Sequence, residues 1–197
     1  MGDPKKLRKK YTTPRHPWMK ANIEAEKKVT REFGLVKKKE IHIASSFLTK
    51  YKDIAKKLIA TRVKPQSQKE KAQVLTKLQR LGLLPAGADL DQILGVELKD
   101  VLERRLQSIV FRKGMARSIK QARQHIVHRH IQVMGQEISS PSYLVSLEEE
   151  STVVFKENST LADLEHPERV PLQKVKETKE ATEKRKESAE APAEVKA

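Results

Sequence analysis

The sequence predicts an α+β protein: a helical N-terminal region, then a small module of two or three helices packed on a short mixed or antiparallel sheet. Two periodicities carry this. From Lys37 to Thr61 apolar residues recur every three or four positions, the spacing of a helix with one buried stripe. After His130 the period changes to two, with Ile131 and Val133 set between polar neighbours, the pattern of a half-buried strand. Composition bounds the folded part. The chain is 37% apolar and 34% charged, which predicts small cores and much exposed charge.

Four segments follow from these shifts in character: a basic extended arm at residues 1–18, a helical domain at 19–96, a second, α+β domain at 97–165, and a charged disordered tail at 166–197. The arm is broken by Pro4, Pro14 and Pro17 and has too little apolar surface to order alone, so it is expected to order on a partner. Residues 20–33 read as a helix stopped by Gly34. In the long helix Ile41, Ala44, Phe47, Leu48, Tyr51, Ile54, Ala55, Leu58 and Ile59 form the stripe. Pro65 ends it. Ser67 and Glu70 have the spacing of a capping box, opening a helix with Ala72, Leu75, Leu78 and Leu81 inward and Gly82 just past its end.

A short helix is expected around Asp91–Leu94. From Glu97 the stripe resumes through Leu98, Val101, Leu102, Leu106 and Ile109 as one helix closed by Gly114. Ser118 suits the N-cap of the next, with Ile119, Ala122 and Ile126 inward. A tight turn is expected at Met134-Gly135, and Glu137–Ile138, Tyr143–Leu147 and Thr152–Phe155 are strand candidates.

Charge is concentrated. The net charge is +15; residues 1–80 hold 23 Lys/Arg against 7 Asp/Glu, and residues 103–130 hold 8 against 1, so the remainder is mildly acidic. Two basic blocks of this kind are the electrostatic footprint of a nucleic-acid binder. In "FRKGMARSIKQARQHIVHRHIQVMG" (111–135), Arg112, Lys113, Arg117, Lys120, Arg123 and Arg129 occur with no acid among them. Arg104 and Arg105 precede this run, and two helices joined by a short turn are expected to mount the whole set on one ridge facing phosphates. A merely solvated face would mix both signs. In the arm, Lys5, Lys6, Arg8, Lys9, Lys10 and Arg15 are expected between phosphates, with Tyr11, His16 and Trp18 stacking on bases.

Other chemistries fit poorly. His125, His128 and His130 stand close, but their neighbours are cationic and no carboxylate or thiolate accompanies them, so no metal is expected; they are expected to be ordinary surface histidines or, at His125 and His130, hydrogen-bonding contacts to RNA. The chain has no cysteine, hence neither a disulfide framework nor a thiolate zinc site. It has no phosphate-cradling glycine loop, nucleophile elbow or H-E-x-x-H motif, so neither catalysis nor a cofactor is expected. No apolar run approaches the roughly 20 residues that span a bilayer, and the N-terminus lacks the apolar stretch of a signal peptide. The expectation is a soluble intracellular protein without membrane partners.

These residues resemble a known family. "LERRLQSIVFRKGMARSIKQARQHIVHRHIQVMGQEISSPSYLV" (102–145) is similar to the S-four type RNA-binding domain. Together with "DPKKLRKKYTTPRHPW", "EFGLVKKKEIHIA" and "LGVELKDVLERRLQ", it resembles the small-subunit ribosomal protein S-four family in its archaeal and eukaryotic form, over about residues 2–165. Two positions depart from the family's habit: Arg129 stands where glycine is frequent, and Met134 where asparagine precedes the turn glycine. The resemblance implies a primary binder of small-subunit ribosomal RNA that nucleates subunit assembly. It also implies a monomer within the cytoplasmic ribosome that contacts ribosomal protein S-five and other small-subunit proteins and supports decoding accuracy. Arg104, Arg105, Arg112, Lys113, Arg117, Lys120 and Arg123 match the family's RNA-contacting positions. The alternatives are a paralogue serving in a nucleolar assembly particle, the targeting module of an RNA-modifying enzyme, and a general DNA compactor.

Overall fold

The computed structural model describes residues 9–61, 65–163 and 166–168. Lys5, Lys6, Arg8 and nearly all of the expected tail lie outside them. In chain order the described residues form α1 (Lys20–Glu32), α2 (Lys38–Ala60), α3 (Pro65–Arg80), α4 (Leu90–Gly95), α5 (Leu98–Glu103), α6 (Leu106–Arg112), α7 (Ile119–Val127), β1 (Ile131–Val133), β2 (Gln136–Glu137), α8 (Leu147–Ser151) and β3 (Val154–Phe155), then a 3-10 turn at Thr160–Ala162. The strands make one antiparallel sheet in the order β2-β1-β3, with Val133 opposite Gln136 and Ile131 opposite Phe155. The class is α+β, as predicted.

The stripe on α2 does what its spacing requires. Ile41, Ala44, Tyr51, Ala55 and Leu58 are buried, and Phe47, Leu48, Ile54 and Ile59 pack beside them. One core joins α2 to Leu78 of α3 and to Leu90 and Ile93 of α4. A second holds α6, α7 and β1 together through Leu106, Ile109, Val110, Ala122, Ile126 and Ile131. Between them Phe33, Leu35, Ile41, Ala44, Val101 and Leu102 form a bridging cluster. Burying side chains of this size contributes roughly 1.5–3 kcal/mol each.

Several expectations are corrected. The third helix begins at Pro65, so Ser67 sits inside its first turn, where its hydroxyl donates to the Thr61 carbonyl (2.9 Å), and the predicted capping box does not form. Proline suits the first helical position because its missing N–H would have no partner there. Ala72 is exposed; Val74, Leu75 and Leu78 carry the inner face. The single helix expected from Glu97 to Gly114 is broken at Arg104 and Arg105. There the backbone turns to the 141–145 segment: the Leu106 N–H donates to Tyr143 O (2.8 Å) and the Val145 N–H to Arg104 O (3.0 Å). Tyr143–Leu147 therefore makes only a one-residue bridge, Arg105 with Leu144, and no strand. Leu147 instead opens α8, capped by a reciprocal Ser146/Glu149 box.

Helix ends set the path between elements. Gly82 and Gly114 hold φ of 68° and 71°, and each is followed by an amide reaching back across the last turn, Leu83 to Leu78 O (3.0 Å) and Met115 to Val110 O (3.2 Å). These are the paired bonds of a Schellman stop. Arg129 closes α7 in the same way, with φ 62° and the His130 N–H on His125 O (3.0 Å). Glycine is the usual occupant of that left-handed position, which accounts for the family's habit there. Met134 (φ 51°) and Gly135 (φ 76°) form the two-residue link between β1 and β2 with both φ positive, as a type I′ turn requires, although asparagine is absent.

Glu40 binds these parts to one another. Its carboxylate accepts from the Arg105 guanidinium and from Arg123 Nη2 at 3.0 Å, while Arg123 Nη1 also reaches Gln107 Oε1 (3.4 Å). The Gln107 amide in turn donates to Ile119 O (2.9 Å) and Gly34 O (3.3 Å). Gly34 has φ 56°, and a Cβ there would lie 2.7 Å from Ile119 Cγ2, so the α1–α2 link passes α7 too closely for any side chain. A second node joins Arg104 and Arg112, each 2.7 Å from Glu150 in α8. Burial pushes the Glu40 carboxyl up, but hydrogen bonds and charge from Arg123 and Arg105 prevail and hold it below its usual 4.5. Arg104 and Arg112 act likewise on Glu150, against burial.

A folded-state carboxyl pKa below the unfolded one adds stability above the unfolded value, and that stability is lost as pH falls through the folded pKa. Melting curves recorded from neutral pH down to about pH 3 will show this loss below the usual carboxylate value. Glu40→Ala will lower stability at neutral pH by about 3 kcal/mol, since two partly buried guanidiniums lose their shared partner, and will flatten the acid limb. Met134→Asn will raise stability by roughly 0.5–1 kcal/mol, because asparagine tolerates the left-handed conformation better; an unchanged or lower melting temperature would contradict the turn assignment.

Candidate nucleic-acid interface

The basic run splits into an inward and an outward set. Arg104 and Arg105, expected on a solvent ridge, are 8% and 4% exposed. Arg104 is spent on Glu150 and on Val145 O (3.0 Å), and Arg105 on Glu40. Arg123 is half-buried, its fork turned to Glu40. The reason is the break between α5 and α6, which rotates two consecutive arginines against carboxylates from α2 and α8. A continuous ridge from Arg104 to Arg123 is therefore not formed.

His125 is also corrected. It is 3% exposed, edge-on to Phe155 and His130, and its Nε2 has no hydrogen-bond partner among the described residues. Burial, opposed by Glu168, holds its pKa below the usual range, which keeps the ring neutral at neutral pH. It packs the module and presents nothing to solvent. His130 is half-buried, bonded through Nδ1 to Ser159 Oγ (2.8 Å) and stacked with the exposed His128.

The outward set is built by the α6–α7 connection and the far end of α7. Arg112 stays half exposed while touching Glu150. Lys113 is exposed at the end of α6, its ammonium near the Ser151 and Val153 carbonyls (3.4 and 3.2 Å). Arg117 is half-buried just before the cap, where Ser118 Oγ accepts from the Gln121 N–H (3.2 Å) as predicted. Lys120 and Gln124 lie on the outer face of α7, and Arg129 stands exposed beyond it. These backbones are fixed by the α6/α7 core, so the cations start from rigid mounts.

The arm contributes Lys9, Lys10 and Arg15, all exposed, and Trp18, 88% exposed. It is not wholly apart from the helices. The Thr12 N–H donates to Ser46 Oγ (2.9 Å), Tyr11 stacks on His42 with centroids 6.2 Å apart, and Lys39 Nζ sits 5.9 Å from the Tyr11 ring centre. Tyr11, expected to stack on bases, thus has an intramolecular partner.

Sequence reasoning missed the groups that absorb the arginines: Glu40, Glu150 and Gln107. Glu40 carried a faint signal, a lone acid after Lys37, Lys38 and Lys39 at the start of a helix. Ser146 and Glu149 carried a plain one, the same capping spacing looked for at Ser67. Gln107 carried none.

The sequence is similar to those of known proteins. The S4 domain family profile matches residues 104–151, which hold α6, α7, the hairpin and α8. The small ribosomal subunit protein uS4 of Methanococcus aeolicus is 46% identical over 170 residues, covering 86% of this chain and 96% of its own length. That of Methanococcus maripaludis is 44% identical over 170 residues, with 86% and 95% covered. A resemblance of this depth across nearly the whole of each relative assigns the chain to the uS4 family of small ribosomal subunit proteins.

Proposed function

We propose that this chain is a structural constituent of the small ribosomal subunit that binds small-subunit ribosomal RNA through phosphate and shape recognition. The observation that carries this reading is the outward cation set, Arg112, Lys113, Lys120 and Arg129, held on a rigid two-helix frame inside the matched S4 segment. Folded RNA exposes ribose hydroxyls and phosphates in preference to base edges, so fixed donors on a rigid frame suit it. The exposed arm cations and Trp18 add a second contact region that threads between strands. Arg104, Arg105 and Arg123 serve it indirectly, holding the frame in shape while their charge is met by Glu40 and Glu150.

The finer reading follows from the family. The protein attaches early, nucleates assembly, and acts as a non-catalytic monomer within the cytoplasmic ribosome. It contacts ribosomal protein S-five and other small-subunit proteins, and it supports accuracy. The division into arm (1–18), helical domain (19–96), RNA-binding domain (97–165) and tail (166–197) belongs to the same proposal, and residue 97 falls where α4 gives way to α5. A paralogue confined to assembly particles would be absent from mature subunits on sucrose gradients.

Affinity for a small-subunit RNA transcript will fall with salt by roughly 0.7–0.9 log units per phosphate contact for each tenfold rise in ionic strength. Lys113→Ala, Lys120→Ala and Arg129→Ala will each weaken binding uniformly and lower that slope by about one contact, with little change in melting temperature. Arg105→Ala will do the reverse, lowering the melting temperature first. A flat salt curve, or a slope unchanged in all three exposed variants, would move the interface elsewhere.

A further inference from the structure

Between α2, the α5–α6 break and the 141–144 loop lies a cavity of about 290 Å³, near the lower end for small-ligand sites. Its walls are apolar: Ile43, Phe47 and Leu144 among others. Its lining is cationic, with Lys37 just before α2, Lys39 in its first turn and Arg123 from α7. The buried Arg105 guanidinium lines it from within, and its Nε and Nη1 have no hydrogen-bond partner among the described residues. Glu40 is the one acid in the lining, set against four cations. Ile43 is 44% exposed although it faces this apolar hollow.

We propose that this cavity receives one unpaired nucleotide of the bound ribosomal RNA, its base between Ile43, Phe47 and Leu144 and its phosphate on Lys37 and Lys39. This rests on the RNA-binding reading above and deepens it. Every base has an apolar π face that stacks without regard to sequence. The charge balance selects an anion. Position selects RNA over a peptide carboxylate. Tyr11 and Thr12 of the arm lie on His42 and Ser46, one side of the α2 segment that lines the cavity, while Arg123 lies across it on α7, the helix that carries Lys120. The cavity thus lies between the arm and α7, two of the regions read above as RNA-contacting.

The test is short-wavelength ultraviolet crosslinking of the full chain to a small-subunit RNA transcript, read by mass spectrometry, beside filter-binding affinities. Wild type is expected to give a nucleotide adduct on the Ile43–Phe47 stretch or on residues 141–144. Ile43→Trp and Ser142→Trp fill the cavity from opposite walls. Each is expected to lose that adduct and about tenfold in affinity, the loss of one stacked base, while adducts near Lys120 persist. Lys37→Glu, an exposed change, is expected to lose the same adduct and guards against a plugged variant that folds poorly. Adducts confined to α7, with plugged variants binding as wild type, would overturn the nucleotide site and leave the RNA-binding reading standing. Plugged variants with unaltered RNA affinity that no longer bind purified small-subunit proteins would also overturn it, in favour of a peptide occupant. A wild type without RNA affinity would remove both.

Discussion

One carboxylate shared between two guanidiniums holds the arrangement together. Glu40 starts the longest helix, Arg105 sits at the break between α5 and α6, and Arg123 lies midway along α7. No two of these residues are near in sequence, so the pairing fixes three elements at once. Bringing such charges out of water is costly, and the geometry compensates because Gln107 extends the network to the Phe33–Gly34 corner. Apolar packing holds each cluster together, and this polar knot sets how the clusters meet.

The break at Arg104 and Arg105 has a consequence for charge. Helical periodicity alone would have continued through both, since Leu102, Leu106 and Ile109 keep an inward stripe on either side. The chain gives up helical hydrogen bonds there and recovers them from Tyr143 and from the amide of Val145. As a result the two arginines turn inward against Glu40 and Glu150, and the solvent-facing charge is left to Lys113, Lys120 and Arg129. A strongly basic sequence therefore does two jobs with one sign of charge: buried arginines build the frame, and exposed lysines and arginines are left at the surface.

Left-handed positions show how much local strain the frame tolerates. Arg129 and Met134 adopt positive φ without being glycine, five residues apart on either side of β1. Each is over-determined by its surroundings. The Arg129 corner is closed by backbone bonds to Ile126 and His125, and the Met134 amide is bonded to Thr152 Oγ1 (3.2 Å). Both side chains are exposed, so one consequence is an arginine held outward at a fixed corner of the proposed interface.

Periodicity and capping chemistry determined most of the elements. The long helix, its buried stripe, the stops at Gly34, Gly82 and Gly114, the Ser118 cap and the alternation at Ile131–Val133 depend on neighbours within a few residues, and all were legible in the chain. The clustered positive charge behind the proposed RNA-binding role was legible too, because net charge and its clustering survive any folding. Tertiary structure decided which cations face out. Arg105 and Lys113 look alike in sequence, and what separates them is a carboxylate sixty-five positions away from one and loop carbonyls about forty positions away from the other. Ser67 does not cap while Ser146 does, though both carry the same motif, for a local reason: Pro65 had already begun the earlier helix. Local rules propose helices and caps; only long-range pairing settles where a charge is consumed and where it stays available.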